Sequence, residues 1–581
     1  MRKPLLLLLL LACAKAQPGT HPRFDATAAL QQRDFFAIPY PNDLRRTATG
    51  LDLTGFPNPF RSQLLDDYVV ALRTTPGFGQ ASAMYVNFDG PIDPDTVTAD
   101  TVQVIDLATG EKTPLQTKYY SAATYFLPAN TLAAMPLYGL PLQGGHQFAL
   151  VVTRGVHDAN GKALEPAEGY VQDPAHARFP DAAAASVFTV QDPTQTLLAL
   201  RAAVRATDVP DPGTPSCTDQ GTSTLCEGTF PVPNFQTGMP PYLSGGGQLN
   251  LDADGTPAPT RIEQVRWAIT LPKTAGPWPV VLYEHGTGGD YESFFREGLG
   301  PDMAGRGAAM LSMDQVLHGP RNPSCWPPTS NYEICTGTAY FDFINPYAGR
   351  DNTLQGAADG FQLIRLAQAL AAPLGLDATH VAFLGHSQGG LTGAPFVAAE
   401  PGLLGAVMSG TGGTLAITVL VRKDPIDFKS VAELLVGING KEELEPFHPV
   451  LMLIQTFAEP ADPISYGRHF AREPLGGGAR SIVITEGLLD PYTSAQASEA
   501  LGAAAFFDIG APVVHEDDAF VARGLSVDPL PHDVAAGSGL LLQFPNDGHY
   551  AMFDNPVARC QVESFLQAAL AGSPRVDPCG G

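Results

Sequence analysis

The chain has 581 residues, 59 acidic against 34 basic for a formal charge of −25, and 44% hydrophobic against 16% charged residues. That balance excludes a disordered chain, and the want of a basic face excludes nucleic-acid binding, because phosphates need cationic partners. The length exceeds one typical core and predicts two domains.

The chain opens as an export signal. Arg2 and Lys3 precede an apolar run at 5–11 that is too short to span a bilayer, and small residues follow. Two processing sites stay open. Leu10-Leu11-Ala12-Cys13 has the form of a lipobox, which makes Cys13 a lipidated first residue; Ala14-Lys15-Ala16 offers ordinary cleavage after residue 16. Cysteine arithmetic favours the lipobox. Of seven cysteines, six fall into close neighbours, Cys217 with Cys226, Cys325 with Cys335 and Cys560 with Cys579; six cysteines permit 15 connectivities, and proximity favours these three in an oxidising compartment, with Cys13 left over. The expectation is a cell-surface lipoprotein or a secreted protein, with membrane association through a lipid anchor. No Cys/His spacing suggests zinc.

Residues 17–191 carry short β-type runs at 83–88, 101–105 and 148–153 between Gly, Pro and Asp turns, a spacing that predicts a β-sandwich. The turns at 89–97 and 156–161 resemble those of bacterial immunoglobulin-like modules. Residues 192–247 read as a connector: a helix at 194–207, then a Pro/Gly/Cys-rich stretch. Asp252-Ala253-Asp254-Gly255 lacks the downstream ligands of a calcium loop and reads as a plain turn. From 248 to 581 strands alternate with helices. The strand runs are 265–270, 280–283, 308–313, 381–384, 405–408, 481–485 and 540–544, with a notable helix at 354–370. Such alternation predicts an α/β domain with a mostly parallel sheet covered on both faces. Asn352, Gln355 and Asp359 read as cap and surface polar residues of that helix. An insertion at about 413–470 is too long for a crossover; it reads as a cap packing its own helices or as a mobile lid with an acyl pocket.

The chemistry starts at Gly385-His386-Ser387-Gln388-Gly389. A β run enters this Gly-x-Ser-x-Gly turn and a small-residue helix leaves it, the context of a nucleophile elbow; the turn is so tight that Gly385 and Gly389 must lack side chains. Acyl transfer then needs an acid and a histidine after later strands. Asp490 follows the strand at 481–485, with Glu486 the second choice, and His549 follows the strand at 540–544. The oxyanion hole draws one donor from the backbone N–H of Gln388. The other comes from the loop Glu284-His285-Gly286-Thr287-Gly288-Gly289, with Thr287 favoured and Gly286 next. His285 supports that loop, and Leu317-His318-Gly319-Pro320-Arg321 orders the floor.

These residues carry a family resemblance. The second half is similar to the α/β-hydrolase superfamily, and the whole resembles exported bacterial lipases and esterases with a virulence-factor-type lipase N-terminal domain, some of them lysophospholipases. The similarity is strongest at 385–390, 285–289, Asp490 and His549; residues 38–44 and 345–352 are similar too. It implies an α/β-hydrolase domain behind an immunoglobulin-like sandwich. It also implies carboxylic ester hydrolysis with no cofactor and a small-molecule or lipid ester as the partner. A serine peptidase or amidase on the same fold, and a surface binding protein with an inactive hydrolase half, stay open as alternatives. Oligomeric state is not legible.

Overall fold

The computed structural model describes residues 19–580; the export signal and Cys13 lie outside the described residues. The first strands are β1 (Met84–Asn87), β2 (Val102–Asp106), β3 (Lys112–Thr113), β4 (Leu115–Tyr120), β5 (Thr131–Pro136), β6 (Gln147–Thr153) and β7 (Ala182–Thr189). They form two antiparallel sheets, ordered β1-β5-β4 and β3-β2-β6-β7. Strand β2 alternates buried and half-buried residues along its length, as a strand with one covered face must. Val86, Leu132 and Met135 of one sheet and Val104, Leu150 and Phe188 of the other share one hydrophobic core.

The remaining strands are β8 (Ser216–Asp219), β9 (Thr224–Asn234), β10 (Arg261–Leu271), β11 (Trp278–Glu284), β12 (Ala309–Met313), β13 (Leu376–His386) and β14 (Leu403–Ser409). They continue with β15 (Ser481–Gly487), β16 (Asp508–Gly510), β17 (Val527–Asp528), β18 (His532–Asp533), β19 (Gly539–Phe544) and β20 (Arg575–Val576). Eleven of these make one sheet in the order β17-β16-β19-β15-β14-β13-β11-β12-β10-β9-β8, while β18 pairs with β20 outside it. From β12 through β19 to β17 the pairing is parallel; β10, β9 and β8 run antiparallel to their neighbours. Val280 and Leu282 of β11 face one core and Val281 and Tyr283 the other, so helices cover both sides. The strand succession is the one the resemblance leads one to expect, with a tight strand-to-helix turn after β13 and later loops after β15 and β19.

The stretch 192–247 is not merely a connector. It supplies β8 and β9, and its helix Thr194–Arg205 packs into the same core as the helix Pro346–Leu374. Pro231 and Pro233 hide β9 from a sequence reading, since proline interrupts a ladder. Both are tolerated because β8 pairs only with Thr224 to Glu227, leaving the rest of β9 at the sheet edge.

That edge corrects a second expectation. The helix starts at Pro346 and runs to Leu374, and Asn352, Gln355 and Asp359 are buried, not surface residues. Gln355 accepts from Phe235 N–H at 2.7 Å and donates to Pro233 C=O at 3.2 Å; Gln362 donates to Pro231 C=O at 3.0 Å. The side-chain amides satisfy backbone groups that a missing strand would otherwise have met. Asn352 accepts from Gln236, and Asp359 pairs with Arg321 at 2.6 Å.

The insertion does not pack only on itself. Its helices Leu415–Val421, Phe428–Val436 and Pro449–Ala458 contribute Val419, Val436 and Leu453 to the core of the N-terminal sheets. Polar contacts fix the join. Glu459 is fully buried and accepts from Gln80 N–H at 2.7 Å, Ala81 N–H at 2.9 Å and Gln191 Nε2 at 2.9 Å. The Ser82 and Thr456 hydroxyls are 2.8 Å apart, and the Tyr85 hydroxyl donates to Phe447 C=O at 2.9 Å. All three cysteine pairs are bonded: Cys217 to Cys226, Cys325 to Cys335, and Cys560 to Cys579.

Candidate active site

Parallel strands send their following loops to one end of the sheet, and adjacent strands bring those loops close together. Strands β11 and β13 are neighbours, so the loop at 285–289 meets the elbow at Ser387; β15 and β19 are neighbours, so the loops holding Asp490 and His549 meet.

Ser387 has φ 56° and ψ −118°, a left-handed conformation that costs a non-glycine residue about 1–3 kcal/mol and tends to collect at functional sites. Its N–H donates to Ser409 C=O at 2.8 Å, which pins the turn to β14. The helix Gln388–Ala399 starts directly behind it. Gly389 must be glycine because a Cβ there would stand 1.9 Å from the carbonyl oxygen of Glu284.

His549 Nδ1 lies 2.7 Å from Asp490 Oδ2. An ionised carboxylate can only accept, so Nδ1 is the donor, and in the neutral tautomer this selects, Nε2 is the free acceptor. The other oxygen, Oδ1, accepts from Tyr492 N–H at 2.7 Å and Thr493 N–H at 2.8 Å, so the carboxylate cannot rotate freely. The Tyr492 ring stacks on the imidazole with centroids 4.6 Å apart and planes 18° apart. Tyr492 escapes a sequence reading, since nothing in its spacing marks it. Glu486 does not meet the histidine: it accepts from Gln543 at 2.9 Å, and burial, then the charge of Glu499, push its carboxyl well above the ordinary range.

The loop after β11 approaches Ser387 closely, since a Cβ on Gly286 would lie 3.2 Å from Ser387 Cβ. Thr287 Oγ1 donates to Gln388 Oε1 at 2.9 Å, tying the loop to the residue behind the serine. Gly288 N–H is taken by His318 Nε2 at 3.0 Å, while the N–H groups of Thr287 and Gln388 donate to no other group among the described residues. His285 is buried, with Nδ1 2.8 Å from Gly286 C=O and Nε2 accepting from Gln315 N–H at 3.2 Å. Burial pulls His285 below its ordinary value, and burial first, with the neighbouring His285 ring second, pulls His318 down to about 3. Both rings therefore stay neutral and serve as struts. Burial, then His549, also holds His386 well below its usual value. Beneath the loop, Glu284 accepts from Thr392 Oγ1 at 2.5 Å, and burial raises its carboxyl from 4.5 to about 8.

Two cavities meet at Ser387. One is polar and shared by Gly286, Thr287, Ser387, Tyr492 and His549. The other is mainly apolar, bounded by Phe341, Phe343, Leu391 and by Ile454 and Phe457 of the insertion, with Tyr68 reaching in from the N-terminal half. The arrangement presents a hydroxyl, an imidazole held by a carboxylate, unused N–H donors and a greasy channel around one point.

No family model and no curated protein sequence matches the chain. Among solved structures, part of the chain is similar to acetyl xylan esterase 1 from Thermoanaerobacterium sp. JW/SL YS485, at 12% identity over 65% of this chain and 93% of that one, TM-score 0.40. It is also similar to an acetyl xylan esterase from Paenibacillus sp. R4, at 14% identity over 65% and 94%, TM-score 0.40. An acylaminoacyl peptidase from Pyrococcus horikoshii is similar at 10% identity over 50% and 36%, TM-score 0.31.

Proposed function

We propose that this chain is an exported serine hydrolase that cleaves carboxylic esters of acyl chains through an acyl-enzyme intermediate. The observation that carries the reading is the strained Ser387 sharing one cavity with His549, whose other nitrogen is held by Asp490 at 2.7 Å. In the reaction, His549 Nε2 takes the Ser387 proton as the hydroxyl oxygen attacks the ester carbonyl. Asp490 keeps the imidazole in the required tautomer and stabilises the imidazolium. The N–H groups of Gln388 and Thr287, with Gly286 next to them, receive the oxyanion; one such donor contributes about 3 kcal/mol. The imidazolium returns its proton to the departing alcohol, and water then repeats the sequence at the acyl-enzyme.

The apolar cavity favours an acyl chain over a peptide, since a peptide backbone would leave its own N–H and C=O groups facing Phe341, Phe343 and Phe457. The three disulfides accord with an oxidising compartment, and we read Cys13 as the lipid anchor. The two N-terminal sheets we read as an immunoglobulin-like module. A fluorophosphonate probe and a matched pair of p-nitrophenyl ester and anilide test the reading. Labelling that Ser387→Ala abolishes, with ester turnover, is expected; anilide turnover without ester turnover would favour a peptidase, and no labelling would favour a binding protein. Replacing Cys13 with Ser should end incorporation of a fatty-acid tracer.

A further inference from the structure

Three other buried arginines among the described residues each spend at least one terminal nitrogen on protein acceptors. Arg321 meets Glu263 at 2.8 Å and Asp359 at 2.6 Å, Arg45 donates to three backbone carbonyls, and Arg480 donates to those of Val397, Gly477 and Gly478. Arg422, on the insertion, is different. Its relative exposure is 8%, yet its side chain makes a single hydrogen bond, from Nε to Asp424 C=O at 2.9 Å. Its two terminal nitrogens donate to nothing among the described residues, and no carboxylate there lies within 4.0 Å of them.

The side chain is nevertheless held in place. The guanidinium sits 4.7 Å from the Phe341 ring centroid, 4.5 Å from Phe428 and 5.5 Å from Tyr492, the ring that stacks on His549. Aromatic faces attract the cation but accept no in-plane N–H. Arg422 borders the polar cavity of Ser387 and His549, the apolar cavity beside it, and an adjoining groove that Thr287 and Glu333 also border. Burial weakens its hold on its proton, to about 10, which still leaves it charged at neutral pH. A preset cation with an unused planar fork, at the junction of the channels, is suited to pairing with two oxygens of one anion.

We propose that Arg422 recognises an anionic oxygen group, a carboxylate or a phosphodiester, carried by the ester substrate near its scissile bond. The proposal rests on the ester-hydrolase reading and narrows it: the substrate has a greasy acyl chain and a negative charge close to the reacting carbonyl. With a neutral ester the fork would keep only water as its partner, since its terminal nitrogens are accessible from the cavity.

Binding of uncleavable amides tests this without depending on turnover. N-Decanoylethanolamine is neutral, N-decanoylglycine carries a carboxylate, and the methyl phosphodiester of N-decanoylethanolamine carries a phosphodiester. Titration calorimetry below the micelle concentration, with wild type, Arg422→Gln and Arg422→Lys, is expected to give an anionic ligand an advantage of about tenfold to a hundredfold over the neutral one. Arg422→Gln should erase that advantage and Arg422→Lys should restore part of it; the tighter anion identifies the source. Equal or tighter binding of the neutral amide to wild type, no binding of any of the three, or an advantage that survives Arg422→Gln would each overturn the proposal. Should Arg422→Gln not fold, the wild-type comparison still decides. Anion-selective binding without turnover of the matching esters would sink the hydrolase reading instead.

Discussion

Asp490 uses both of its carboxylate oxygens, one on His549 Nδ1 at 2.7 Å and the other on the N–H groups of Tyr492 and Thr493. The acid is thus oriented by the loop it caps. Replacing it with Asn presents an amide that cannot serve all three donors and turns the imidazole to the wrong tautomer. Asp490→Asn should lower kcat on p-nitrophenyl butyrate by about a thousandfold or more, with little change in KM. A loss under tenfold would mean that another carboxylate does the work.

Gly389→Ala tests the elbow. The added methyl would collide with the Glu284 carbonyl oxygen at 1.9 Å, backbone against backbone, so no side chain can swing aside. Either β11 or the helix Gln388–Ala399 must shift, moving Ser387 away from the loop at 285–289. The soluble variant should show fluorophosphonate labelling slowed at least about a hundredfold, if the proposed oxyanion site is displaced with it. Wild-type labelling would show that the turn is looser than this contact implies.

The buried Glu284 gives a pH signature. Its carboxyl loses a proton near 4.5 when unfolded and only at about 8 when folded. Between those values the native state binds the extra proton, so stability falls as pH rises through this window. Glu284→Gln stays neutral and should flatten that slope, gaining on wild type by up to several kcal/mol towards pH 8. Urea midpoints at pH 5 and pH 8 measure it; parallel shifts in both proteins would remove Glu284 as the cause.

The insertion is a further case. Glu459 meets three N–H donors of the N-terminal half, and Ser82 meets Thr456 at 2.8 Å. Opening it as a lid would uncover a shared core, which is costly. Joining Ser82→Cys to Thr456→Cys by oxidation should therefore leave turnover of long-chain esters essentially as it was. Activity lost on oxidation and regained on reduction would show that the insertion swings open.

Local chemistry reads well from the chain. The glycine spacing around Ser387 dictates a tight strand-to-helix turn, and Asp490 and His549 each follow an apolar run that became a strand, β15 and β19. The disulfides were readable because 9, 10 and 19 residues separate their partners, short enough for proximity to choose the pairing. The β9 strand was not, because its prolines argue against pairing and only its place at the sheet edge admits them.

Taken alone, the order of residues determined the parallel α/β build of the second half and the residues brought to one end of its sheet, and by proximity it favoured the cysteine partners that the structure joins, since each follows from contacts a few residues wide or from strand succession. Only the tertiary structure decided that the insertion completes the N-terminal core, that Gln355 and Asp359 are interior, and that Arg422 stands nearly unpartnered beside Ser387. Those outcomes depend on which distant surfaces meet, and an apolar helix face or a lone arginine fits many partners equally well until packing selects one.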